Sequence, residues 1–98
     1  MGNKTIKGPI KYVDGGKYMG QSIKGQCNGE GVYYFASGSI YDGQWRKNEM
    51  HGTGTMQYAD GGKYVGQWSF NQPHGRGVET WADGSEYDGD YKNGKADG

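Results

Sequence analysis

The chain has 98 residues, room for one small domain, yet only 32% are hydrophobic, none is leucine and 21 are glycine, so a conventional two-layer core lacks material. Eleven basic residues balance eleven acidic ones, and this zero net charge argues against nucleic-acid binding driven by phosphate neutralisation. Aromatic residues make up 14% of the chain, so any core must be built mainly from rings.

Read from the N-terminus, the sequence repeats itself. Tyr18, Tyr41, Tyr64 and Tyr87 recur at intervals of 23 residues without insertion or deletion, the mark of a repeat architecture. Two residues after each tyrosine stands Gly20, Gly43, Gly66 or Gly89, and two further on Ser22, Trp45, Trp68 or Tyr91. A glycine doublet follows as Gly29/Gly31, Gly52/Gly54 and Gly75/Gly77, then a second aromatic residue, with turn glycines close behind at Gly38, Gly61 and Gly84. The second aromatic is Tyr12, Phe35, Tyr58 or Trp81. The units run roughly 1–13 (partial), 14–36, 37–59, 60–82 and 83–98 (partial). The start of the array is degenerate, with Ile6 in a doublet position, Ser22 for the aromatic and Asn28 where later units carry His51 and His74.

Glycine interrupts nearly every window long enough for a helix, at about 1 kcal/mol for each interior glycine. Period-two logic works instead: in a strand, Tyr41, Gly43 and Trp45 share one face while Ile40, Asp42 and Gln44 share the other. Pairing Tyr41 with Met56 sets Gly43 against Gly54 and Trp45 against Gly52, which leaves Arg46 to His51 as a six-residue connection with Asn48 in a left-handed conformation. At the other end, residues 59–63 read as a tight turn with glycine at a positive-φ position. The last unit stops at Gly98, before its return strand forms, and the array reads as part of a longer repeat protein.

The predicted fold is all-β: an elongated, single-layer antiparallel sheet of tandem 23-residue hairpins, bent and twisted, with one aromatic and one polar face. Gly20, Gly29, Gly31, Gly43, Gly52, Gly54, Gly66, Gly75, Gly77 and Gly89 are its structural glycines, which make room for rings to lie flat over bare backbone. An isolated two-stranded hairpin is marginal, so each unit must bury its rings against the next. A single layer also leaves part of its aromatic strip uncovered, and such strips mark interaction sites. Tyr18, Phe35, Tyr41, Trp45, Tyr58, Tyr64, Trp68, Trp81 and Tyr87 are therefore the candidate partner-binding groove, each ring serving in stacking, in recognition or in both.

Chemistry finds little support. His51 and His74 sit one hairpin apart, about 9.5 Å from two strand spacings, whereas both ligands of a zinc ion must lie within about 2.3 Å of it. No calcium loop surrounds Asp88 and Asp90, no P-loop is present, and the Gly-x-Gly doublets lack a following helix. Cys27, the only cysteine, falls in a predicted connection beside Asn28, with no base and orienting group to activate it. No metal, cofactor or catalytic residue is assigned. A lone cysteine fits a reducing, cytoplasmic compartment, and no apolar run reaches the roughly 20 residues of a membrane-spanning helix.

The pattern Y-x-G-x-W, then H-G-x-G, then an aromatic and D-G resembles the MORN repeat (membrane occupation and recognition nexus). It is carried by Tyr41 to Trp45, His51-Gly52-Thr53-Gly54, Tyr58 and Asp60-Gly61, and again by Tyr64 to Trp68, His74-Gly75-Arg76-Gly77, Trp81 and Asp83-Gly84. The resemblance implies a non-catalytic scaffold that binds an extended or helical segment of a protein partner, in cytoskeletal, ciliary or membrane-associated assemblies, with end-to-end self-association as a further property. Two alternatives stand beside it: association with anionic lipid, to which Lys4, Lys7, Lys11, Lys17 and Lys24 would contribute, and regulation of an enzyme carried elsewhere in a longer chain.

Overall fold

The structure, a computed structural model, describes residues 6–96. It contains nine strands in one sheet: β1 (Ile6–Lys11), β2 (Lys17–Ile23), β3 (Gln26–Tyr34), β4 (Ile40–Arg46), β5 (Glu49–Gln57), β6 (Lys63–Ser69), β7 (Gln72–Thr80), β8 (Glu86–Lys92) and β9 (Lys95–Ala96). Spatial order follows chain order and every pairing is antiparallel, so the sheet is one long meander. Its extents are 45 × 27 × 16 Å. The third is far more than a flat pleat needs and reflects the twist that strands carry.

Two kinds of turn alternate along the ribbon. At one margin the second aromatic residue opens a tight loop, as in Tyr58–Gly62, where Gly61 N–H donates to Tyr58 O, Tyr58 N–H donates to Gly62 O, and the Asp60 carboxylate accepts from Gly62 N–H at 3.0 Å. Gly61 has φ 100, the left-handed region this turn demands. At the opposite margin, Lys24-Gly25, Lys47-Asn48, Phe70-Asn71 and Asn93-Gly94 are two-residue turns with positive φ at both positions, the geometry that matches strand twist.

These tight turns correct the expected six-residue connection from Arg46 to His51. Tyr41 does pair with Met56 and Gly43 with Gly54, but Trp45 then pairs with Met50, not Gly52. Between those pairs, Gln44 alone faces His51, Gly52 and Thr53, a bulge in which Gly52 takes φ 73. The Gln44 side chain closes the gap, its Oε1 accepting from Thr53 N–H at 2.9 Å. Gln21 and Gln67 do the same for Glu30 and Arg76. Gly52 meets a tryptophan in the next pairing instead, opposite Trp68.

The short turn also corrects two further expectations. The last unit does begin its return strand: β9 pairs Ala96 with Tyr91 and Lys95 with Lys92. Cys27 is not in a connection but in β3, 2% exposed and within the core. It is the equivalent of Met50, Pro73 and Ala96 in the later units.

Candidate functional site: the aromatic face

The aromatic face is built in two rows, and the glycines explain the first. Tyr41 lies along its own strand, its hydroxyl donating to Gln44 O at 2.9 Å, with its ring over the bare backbone of Gly43 and Gly54. A Cβ on Gly54 would stand 2.6 Å from the Tyr41 Cε1 atom, so no larger residue fits under the ring. Tyr18, Tyr64 and Tyr87 repeat the arrangement through Gln21, Gln67 and Asp90 carbonyls. Trp45 and Trp68 reach back across the sheet, each indole N–H donating at 3.1 Å to the carbonyl of Gly31 or Gly54 in the preceding unit.

Together these rings form a continuous edge-to-face row: Tyr18, Trp45, Tyr41, Trp68, Tyr64, Tyr91 and Tyr87, with successive centroids 5.0–5.6 Å apart. This is the spacing and tilt at which ring quadrupoles attract. The row is a one-dimensional core. Tyr18, Tyr41 and Tyr64 are 0% exposed, and Trp45 and Trp68 are buried as well. Burial pushes the Tyr18 and Tyr64 phenols up to about 12 and raises that of Tyr41 further.

These five rings are therefore given over to stacking, one of the roles the sequence left open for each of the nine aromatic residues, and expose almost no surface. Phe35, Tyr58 and Tyr87 are half-buried, and Trp81 is 44% exposed. Tyr87 ends the first row, while Phe35, Tyr58 and Trp81, together with Tyr12 and Tyr33, make a second row beside it. Tyr12 stacks on Tyr33 at 5.5 Å, and Tyr33 leans on Phe35 at 4.7 Å and on Trp45 at 5.8 Å. Extending the period-two pattern from Gly31 would have found Tyr33, because residues 31, 33 and 35 share a face.

Dents repeat along this margin where successive turns meet. One is lined by Tyr12, Gly15, Gly16, Lys17, Tyr34 and Phe35. Another, by Tyr58, Gly61, Gly62, Lys63 and Thr80, lies two units on. On the last complete unit the face carries Glu79 where its counterparts are Ile10, Tyr33 and Met56, and Tyr91 Oη donates to Glu79 Oε1 at 2.9 Å.

The reactive side chains are dispersed. Among the described residues no group of three or more His, Cys, Asp and Glu side chains could hold a metal. The Cys27 thiol lies 3.6 Å from Tyr12 Oη, and burial pushes it up, away from the thiolate form that attacks. No helix among the described residues is long and apolar enough to cross a membrane.

A family model for the MORN repeat matches residues 18–40, 41–63, 64–86 and 87–98, cutting the same 23-residue period at the tyrosine. No curated protein matches the sequence significantly. The unbroken succession of matches and the hairpin meander agree, and the chain belongs to the MORN repeat family, whose units are in general non-catalytic modules of protein or membrane interaction.

Proposed function

We propose that the array is a non-catalytic module that binds a segment of a protein partner along its aromatic face. One observation carries this reading: a half-exposed row of rings, Tyr12, Tyr33, Phe35, Tyr58 and Trp81, lies beside a row already buried. The buried row supplies stability, and the half-exposed one presents rigid apolar area with polar tips, the residue chemistry of binding hot spots.

Selection from a displayed library of 12- to 15-residue peptides tests it, with Phe35→Ala and Trp81→Ala as controls. The expected outcome is a set of binders that each variant weakens tenfold or more, while Trp81→Ala melts within a few degrees of the parent because its ring is half in water and outside the buried row. Failure to select any binder, or binders indifferent to both variants, would remove the reading.

A second reading has its own observation. The margin of two-residue turns is basic, with Lys24, Arg46, Lys47, Lys92 and Lys95 against Glu49, and Phe70 protrudes from it at 70% exposure. A margin of this kind can rest on an anionic lipid surface, at about 1 kcal/mol for each basic residue near it. Co-sedimentation with phosphatidylserine vesicles at low and high salt decides between the two. Binding that is strong at low salt and lost at high salt favours lipid.

A further inference from the structure

We infer that the C-terminal end of the aromatic face is a receptor for one cationic side chain, arginine or lysine, of the bound segment, and that Glu79 is its anchor. The inference rests on the protein-binding reading above and names the chemistry of part of that site.

Glu79 stands on the aromatic face of β7, opposite Tyr64 on one side and Tyr87 on the other. Its counterparts in the earlier units, Ile10, Tyr33 and Met56, pack with or against the core. A carboxylate in this row is surrounded by rings: Tyr91 bonds to it, Trp81 follows two residues on along the same face, and burial first, with the charge of Glu79 adding to it, raises the phenols of Tyr58, Tyr64 and Tyr91.

The Tyr91 bond by itself asks only for an acceptor. In the two units before it, the residue equivalent to Tyr91 is a tryptophan that donates to a glycine carbonyl, and Tyr91 has Glu79 in that role. A glutamine would serve equally, so the hydrogen bond accounts for the oxygen and leaves the charge unexplained. Among the described residues no cation pairs with it: their one ion pair, Arg76 with Asp88 at 3.2 Å, is on the opposite face. The second carboxylate oxygen has no hydrogen-bond partner among them.

An unbalanced carboxylate edged by rings, with partly exposed Tyr87 and Trp81 beside it, is complementary to a guanidinium or ammonium group. Such a cation gains the charge-assisted bond and the attraction of the ring quadrupoles together. The more N-terminal units have no such carboxylate in this row, so the face is polarised, and a segment lying along it would be held in one direction.

The peptide selection tests this when it is run in parallel on the parent and on Glu79→Gln, which keeps an acceptor for Tyr91 and removes only the charge. The expected result is a basic residue enriched at one fixed position of peptides selected on the parent, with five- to twentyfold weaker binding of those peptides to Glu79→Gln and an unchanged melting temperature. Glu79→Arg should turn the preference toward acidic residues. Peptides that depend on Phe35 and Trp81 but show no positional preference, or bind Glu79→Gln equally, would overturn this inference and leave the protein-binding reading intact. Absence of binders would overturn both.

Discussion

A methyl group on Gly54 would collide with Tyr41, and the backbone there is not left-handed, so the cost of adding one is steric. Gly25 is the opposite case, with open space around it but φ 78. Gly54→Ala should cost about 1–3 kcal/mol as overpacking, and Gly25→Ala about 1 kcal/mol as left-handed strain. Urea denaturation of both variants measures the difference, and equal losses would contradict the account of the ring seat. The spacing of the glycines made these seats legible. Their division of labour was not: Gly29, Gly52 and Gly75 serve through positive φ and the glutamine folded over them, a role that depends on a bulge no side-chain pattern announces.

Between elements, hairpins are clipped by asparagine. Asn48 N–H donates to Cys27 O at 2.9 Å and its side-chain oxygen accepts from Cys27 N–H at 2.7 Å; Asn71 holds Met50 the same way. The next clip would join residue 94 to residue 73, where Pro73 has no N–H to give and Gly94 has no side chain to receive it. Only the backbone bond from Gly94 N–H to Pro73 O, 2.9 Å, is left. Gly94→Asn alone should therefore change stability by less than about 0.5 kcal/mol, while combined with Pro73→Ala it should show a favourable coupling near 1 kcal/mol. A double-mutant cycle in urea reads this directly, and zero coupling would show the clip to be incidental. The same margin was misread from sequence for a physical reason. A bulge that slips the ladder by two residues returns every side chain to the same face. Face assignment therefore survived while the partner of Trp45 and the length of the turn did not.

Across the whole molecule, stability depends on phenols kept from water. Tyr18 and Tyr64 are held near 12 against an ordinary value near 10, so the fold favours the neutral form. Below pH 10 their contribution is complete. Between pH 10 and 12 the unfolded chain ionises first, and stability should fall by about 1 kcal/mol per pH unit for each phenol. Urea midpoints measured from pH 8 to 12 check this, and a flat profile would mean that the ring row opens to solvent easily. The repeat, the single layer and the sidedness of the rings were all legible in the sequence. How the rings divide between the buried and the half-exposed row was not, because it depends on the Trp45 and Trp68 side chains reaching back over the preceding unit.

Because spatial order equals chain order, β1 and β9 occupy opposite edges of the ribbon. Tension applied between the two edges thus runs across the strands and strains the outermost rungs first, as in a zipper, with the remaining rungs unloaded until those part. Pulled this way, the ribbon should lengthen in steps of one 23-residue turn of the pattern at low force and re-close behind the load, which makes it compliant across its strands and stiff along them.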